Sequence, residues 1–452
     1  MSSNDLVDAG PVALARAIRT REISSAEAVG LCLARIERVD PSLHSFVEVY
    51  ADAARKEAAR KDARRTDTSA DVPAFHGVPI AIKDLNVVRF RRARFGSQGM
   101  PAIWSPVDDR TVGTLRAAGF VILGKTATSE LGAMPVTEPS GRPPTRNPWE
   151  LTRTPGGSSG GSGAAVASGL VPVAHGSDGG GSLRIPASFC GLVGFKATRG
   201  RIPNAFGQDP PNILYTCGAL VRTVADAAAM HTAMARPGPS PTPPLPPGAR
   251  PRVRLVLRTP LVTTEPEIEA VVRRVADRLA DAGHEIVEDA VPPGDFDTFL
   301  PIWQKLVGSV PLVRWDRAQG VTRWLAEAGR AWTGAQIAER QAMLDAQWTA
   351  WAGDDLILTP TVGVPPPLVG AFDHDGGEAA FRAAAVLGAF TAAFNVTGQP
   401  AISVPAGLHP TLGVPIGVQL ALPRGQDEAL LRIAAEVESA ADVRPPRPPI
   451  LG

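Results

Sequence analysis

A lysine that closes an apolar run and two loops rich in serine and glycine are the residues of this sequence best suited to chemistry. The lysine is Lys83, the last residue of VPIAIK. The loops stand at either end of residues 156–182, GGSSGGSGAAVASGLVPVAHGSDGGGS. A lysine amine is a cation in water, but burial disfavours the charge and leaves a neutral amine able to take a proton. A serine hydroxyl becomes a nucleophile once a base removes its proton. Glycine-rich turns let backbone N–H groups converge on a developing negative charge. Taken alone, Lys83 reads as a surface lysine at a strand end and the loops as a tether. The segment AAVASGLVPVA between them is too apolar for a solvated tether. Two such loops in one sequence favour the chemical reading of Lys83.

Other routes to an activated group lack their parts. The seven histidines, His44, His76, His175, His231, His284, His374 and His409, stand in no recognisable pair or triad context, and no G-x-S-x-G elbow occurs. No His/Asp/Glu cluster has metal-ligand spacing, so neither a metal nor another cofactor is expected. Gly119–Thr126, GFVILGKT, matches the phosphate-loop pattern letter for letter. That loop needs small residues after a strand, whereas here FVIL reads as the strand itself. A net charge of +1 gives no electrostatic reason to expect nucleic acid or an anionic membrane as partner. Cys32, Cys190 and Cys217 are odd in number and in no redox spacing. The N-terminal residues hold no signal-like apolar run, and no stretch is long enough to span a bilayer. A cytoplasmic protein follows as the expectation.

The elements that must position these residues alternate. Residues 11–39 carry apolar positions at helical spacing, with Ser24 or Ser25 before Glu27 as a helix start, and 51–65 read as a solvated helix. Strand-like runs follow at 78–83, 120–125, 170–176, 254–258, 356–360, 401–405 and 415–422. Helical patterns at 109–118, 223–235 and 265–282 lie between them. Strands alternating with helices imply an α/β sheet covered by helices. The Pro-rich stretch 237–251 suits a domain boundary or a surface connection within one sheet equally. A helical section at 300–352 holds Trp303, Trp315, Trp324, Trp332, Trp348 and Trp351, which read as packing residues rather than ligand contacts.

Residues 156–200, GGSSGGSGAAVASGLVPVAHGSDGGGSLRIPASFCGLVGFKATRG, resemble the signature of the amidase signature hydrolases. HGVPIAIKDL at 76–85, AAGFVILGKT at 117–126, TRNPW at 145–149 and FNVTGQPAISVP at 394–405 match in order. The resemblance implies one large α/β domain over 1–452 with a central mixed sheet flanked by helices. Within it lie a helical N-terminal part at about 8–65, a signature core at 75–235, the Pro-rich connection at 237–251 and the helical section at 300–352. It assigns Ser182 as nucleophile, Ser158 as a bridging serine after a cis peptide bond, and Lys83 as base. The amides of Gly179, Gly180, Gly181 and Ser182 would bind the oxyanion, with Asp178, Arg184 and Ser159 in support.

These residue types suit C–N cleavage. A neutral Lys83 takes a proton from Ser158 while Ser158 takes one from Ser182, and Ser158 returns it to the leaving nitrogen. Family members usually carry a small non-glycine residue where Gly179 stands, so the triple glycine implies either a looser oxyanion loop or extra space beside the scissile carbonyl. KDL, VTEP at 136–139, TRNPW and VAHGSD resemble a subgroup holding 6-aminohexanoate cyclic dimer hydrolases and urethane-cleaving amidases. The implied partner is a small apolar or aryl amide or carbamate, handled by a monomer or homodimer. Expected pocket residues are Met134, Phe206, Ile213, Leu214 and Tyr215, joined by Phe90, Phe95, Trp104 and Trp303 from the flanking segments. The alternative is the glutamine-hydrolysing subunit of a tRNA-dependent amidotransferase. That subunit typically has S-I-R-Q-P-A after the nucleophile, and here Ile185 replaces the glutamine. A non-catalytic scaffold is disfavoured because Lys83, Ser158 and Ser182 are all present.

Overall fold

The computed structural model describes residues 2–64, 72–205, 214–236, 242–243, 245–288, 291–439 and 447–451. Eleven strands form one mixed sheet. Phe46–Val49 lies at one edge, followed by Val121–Thr126, Pro79–Lys83, Ala174–Asp178, Thr216–Val221 and Val193–Lys196. Ala401–Leu408, Pro415–Ala421, Leu356–Pro360, Val253–Leu255 and Ile286–Glu288 complete it. The strand ending in Lys83 runs parallel to both of its neighbours, Val121–Thr126 and Ala174–Asp178. It is buried along its whole length, as parallel strands covered on both faces are.

Period-2 alternation divides the core between the two faces of this sheet. Leu356, Leu358, Ile402 and Leu420 join one apolar cluster with Leu14, Ile18, Val29 and Leu33 from the N-terminal helices. Ile357, Ala401 and Ala421 face the other cluster, which holds Trp303, Leu325, Leu344, Trp348 and Phe381. The helical section therefore covers the second face, through Phe296–Gly308, Gly320–Arg330 and Gly334–Ala352.

Local signals account for several boundaries. Ser24 caps Ser25–Leu43 by accepting from the Glu27 N–H, and Asp109 and Thr223 cap Arg110–Ala117 and Val224–Met234 in the same way. The run at 170–176 differs from expectation, because the strand is Ala174–Asp178. Gly169 turns the chain out of the helix Gly160–Ala167 with φ 64°, and Pro172 has no N–H for a ladder. The strands at 46–49, 193–196 and 286–288 are too short to show a pattern, and Thr216–Val221 carries Gly218 in its interior, which weakens the strand signal. Residues 237–241 and 244 of the Pro-rich connection lie outside the described residues. The rest of that connection is tied to the start of the helix Asp427–Glu438, where Leu245 N–H donates to Gln426 Oε1 at 2.7 Å.

Candidate active site

Lys83 is fully buried at the end of its strand. Its Nζ lies 2.7 Å from Ser158 Oγ, 3.1 Å from Ser177 Oγ and 3.4 Å from the Ser177 carbonyl. The next residue, Asp84, would be a natural counter-ion, but it pairs with Lys125 at 2.7 Å, both side chains being buried. Lys125, which mimics a phosphate-loop lysine in sequence, also donates to the Asn86 carbonyl and sits in the strand Val121–Thr126. Its charge is spent on Asp84, and Lys83 is left with hydroxyls and a carbonyl. Burial accordingly pushes the Lys83 amine down to about 7, against the opposing pull of Asp178.

Ser158 follows a cis peptide bond from Gly157. A side chain at Gly157 would meet the Val136 backbone at 2.6 Å, so only glycine fits. Ser159 joins the two serine loops, its N–H donating to the Ser182 carbonyl at 3.3 Å and its Oγ to the Ser177 carbonyl at 3.1 Å.

The loop that carries Ser182 is braced from below. Asp178 accepts from the amides of Gly181 (2.7 Å) and Leu183 (3.2 Å) and forms a two-point pair with Arg184 (2.9 Å each). Burial alone would raise the Asp178 carboxyl, but the charge and hydrogen bonds of Arg184 outweigh it and hold the group well below the usual range. Arg184 also donates to the Thr391 carbonyl, Gln419 Oε1 and Asn395 Oδ1, so its buried guanidinium is hydrogen-bonded around its edge. The Gly181 amide is thus engaged inside the loop. Among the described residues, the amides of Gly179, Gly180 and Ser182 donate to nothing, and these three remain for a ligand. Gly181 itself must be glycine, because its φ is 126° and a Cβ would lie 2.2 Å from Thr391 Oγ1.

Ser182 and Gly180 open onto a cavity of about 110 Å³ whose walls include Met134, Ile185, Leu261, Phe296, Phe299, Trp303, Leu344, Trp348 and Phe381. Asp295 is the only charged lining residue among the described residues. Of the expected pocket residues, Met134 and Trp303 line it. Leu214 and Tyr215 do not. The Leu214 carbonyl instead accepts from Asn395, and the Tyr215 hydroxyl donates to Asn204. Phe206 and Ile213 lie outside the described residues. Phe90 and Trp104 are exposed and tilted against each other with ring centroids 6.2 Å apart, and Phe95 packs against the apolar cluster that holds Met134 and Trp303. The segment 90–104 is therefore not the wall that sequence suggested. Trp348, read from sequence only as a packing residue, also lines the cavity.

Folding also gathers a group that spacing could not reveal. Ligand atoms of Glu265, Glu267 and His409 lie within 4.8 Å of one another. His409 Nε2 already meets Glu265 at 3.2 Å, and its Nδ1 accepts from the Thr411 and Leu412 amides. This group lies outside the cavity of Ser182.

The sequence model of the family described as Amidase matches residues 27–307 and 308–431. The chain belongs to the amidase signature family. This amidase is 36% identical over 486 residues to 6-aminohexanoate-cyclic-dimer hydrolase of Paenarthrobacter ureafaciens, covering 97% of this chain and 96% of the relative. It is 37% identical over 457 residues to the putative amidase AmiB2 of Mycobacterium tuberculosis (strain H37Rv), covering 97% and 98%. Among solved structures, 6-aminohexanoate cyclic dimer hydrolase complexed with substrate superposes with TM-score 0.86 at 32% identity, covering 99% of this chain and all of that one. A bacterial aryl acylamidase shares the fold at TM-score 0.83 and 24% identity. The large mixed sheet flanked by helices is the family's fold, and the amidase is a hydrolase of C–N bonds.

Sequence reasoning missed Ser177, the second acceptor around Lys83, although it stands two residues from His175 on the same face of its strand. It also missed Phe296 and Phe299, which with Trp303 repeat at i, i+3 and i+7 along one helix face. Asn395, which holds both Asp178 and Arg184, lay within the matched FNVTGQP motif without a role.

Proposed function

We propose that this amidase hydrolyses apolar or aryl amides through a covalent acyl-enzyme on Ser182, with Ser158 as proton bridge and Lys83 as neutral base. The observation that carries the reading is the fully buried Lys83, 2.7 Å from Ser158 Oγ and with no ion-pair partner among the described residues, together with the cavity onto which Ser182 opens. In its neutral form the amine accepts the Ser158 proton while its own hydrogens go to Ser177. Ser158 then accepts the Ser182 proton as Ser182 Oγ attacks the carbonyl carbon. The carbonyl π electrons move to oxygen, where the amides of Gly179, Gly180 and Ser182 stabilise the charge, about 3 kcal/mol per donor. As the tetrahedral intermediate collapses, the C–N bond breaks, Ser158 protonates the leaving nitrogen and takes its proton back from the Lys83 ammonium, which leaves the amine neutral again. Water, deprotonated by the same relay, releases the acid and restores Ser182.

The apolar walls favour alkyl or aryl groups on either side of the bond, about 0.8 kcal/mol per buried methylene. Small aryl carbamates are a second substrate class, as are cyclic amides on the precedent of the relative named for one. The whole chain acts as one catalytic domain without a cofactor, as a monomer or homodimer. Among the described residues no helix is long and apolar enough to cross a membrane. The three cysteines are free and buried, which fits a reducing compartment such as the cytoplasm.

Competing rates on one preparation test the substrate reading. 4-Nitroacetanilide and a small phenyl carbamate should both be cleaved faster than free glutamine. Glutamine preferred over both, with ammonia released, would favour the amidotransferase subunit instead.

A further inference from the structure

The space that a glycine at position 179 leaves open is filled. A Cβ built at Gly179 would lie 3.3 and 3.5 Å from Cζ3 and Cη2 of Trp303, and one at Gly180 would lie 3.5 and 3.7 Å from the same atoms. The triple glycine thus does not enlarge the site as sequence suggested. It lets an indole ring close over the backbone that offers its free amides. The ring has little freedom to retreat, since Trp303 is 7% exposed, its Nε1–H donates to the Ala133 carbonyl at 3.2 Å, and Phe299 stacks on it with centroids 5.9 Å apart. Ala133 and its neighbour Met134 line the same cavity.

We propose that Trp303 is the residue that sets how wide a group this amidase accepts beside the scissile carbonyl, and that Gly179 is its size complement. The inference rests on the amide-hydrolase reading and adds to it a width limit. The indole reaches from the Ala133 carbonyl to Gly179 and Gly180 and lines the same cavity as Ser182. Gly179 has no positive φ, so an alanine there meets no backbone penalty. Its close contacts are the indole and Tyr215 Cβ at 3.5 Å. Any loss in Gly179→Ala must then come chiefly through Trp303.

The test is a cycle of Gly179→Ala, Trp303→Phe and the double variant, with Trp303→Ala as a wider opening. Each is assayed with the acetyl and benzoyl amides of 4-nitroaniline. Trp303→Ala should raise the benzoyl-to-acetyl ratio of kcat/KM at least tenfold, and Trp303→Phe by a few-fold. Gly179→Ala should lose about tenfold in kcat by shifting the oxyanion donors, and the loss should fall below threefold in the Trp303→Phe background. A ratio within twofold of wild type in both Trp303 variants overturns the proposal. So does an equal Gly179→Ala loss in both backgrounds. The same ratio read from inactivation by methanesulfonyl and phenylmethanesulfonyl fluoride needs no turnover. Failure of both anilides in the wild type therefore counts against the substrate reading, while the inactivation ratio still decides the role of Trp303.

Discussion

Replacing Lys83 by methionine should make the protein inactive and, near neutral pH, more stable. Burial lowers this amine from 10.5 to about 7, so the folded chain bears a cost of roughly 5 kcal/mol at low pH and roughly 4 kcal/mol at pH 7, at about 1.4 kcal/mol per tenfold. Between pH 7 and about 10 the unfolded chain binds one more proton at this site than the folded chain does. The cost therefore falls by about 1.4 kcal/mol per pH unit as pH rises, vanishes near the unfolded value, and stays constant below pH 7. Methionine removes that cost but also the contacts to Ser158 and Ser177, a loss of about 2 to 3 kcal/mol when buried hydroxyls lose partners. The variant should then be more stable by about 2 kcal/mol at pH 7, with the advantage reversing near pH 9. Urea unfolding followed by tryptophan fluorescence at pH 6, 7.5 and 9 measures the difference, in which other titrating groups cancel. A difference that does not change with pH would refute the claim that Lys83 folds as a neutral amine.

Wild-type kcat/KM should rise tenfold per pH unit below about pH 7 and level off above it, because only the neutral amine can accept the Ser158 proton. A plateau extending down to pH 5 counts against Lys83 as base. Ser158→Ala and the double variant Ser158→Ala/Lys83→Met should each lose about as much kcat as the other, since the relay works as a unit. Losses that multiply in stopped assays of product would separate the two roles. Arg184→Leu strands the buried Asp178 carboxylate and should cost about 3 to 5 kcal/mol in urea unfolding, a far larger effect than removing an exposed pair such as Arg382 and Glu378. A loss under 1 kcal/mol contradicts that account of the loop.

The fold class was legible because long runs such as VPIAIK and PIGVQLAL alternate with amphipathic helices. Edges were not, since four-residue strands like Phe46–Val49 owe their state to a neighbour, here Val121–Thr126. The serine loops and Lys83 could be read from residue type and motif. The walls could not, because Phe296 and Phe381 reach the cavity from helices far apart in sequence. The width of the site escaped for a related reason. A glycine at 179 is open or filled depending on a tryptophan more than a hundred residues away. The electrostatics were half visible. KDL places a carboxylate beside Lys83, and only the fold gives that carboxylate to Lys125.

The most direct test is to locate the covalent adduct. Treating the wild-type protein with phenylmethanesulfonyl fluoride and mapping its peptides by mass spectrometry should find the label on Ser182. Labelling should slow at least a hundredfold in Lys83→Met and be absent in Ser182→Ala, which should keep the wild-type fold by circular dichroism. An adduct on Ser158 or another residue, or a Ser182→Ala protein that still turns over amide at the wild-type rate, would contradict the assignment of Ser182 as nucleophile.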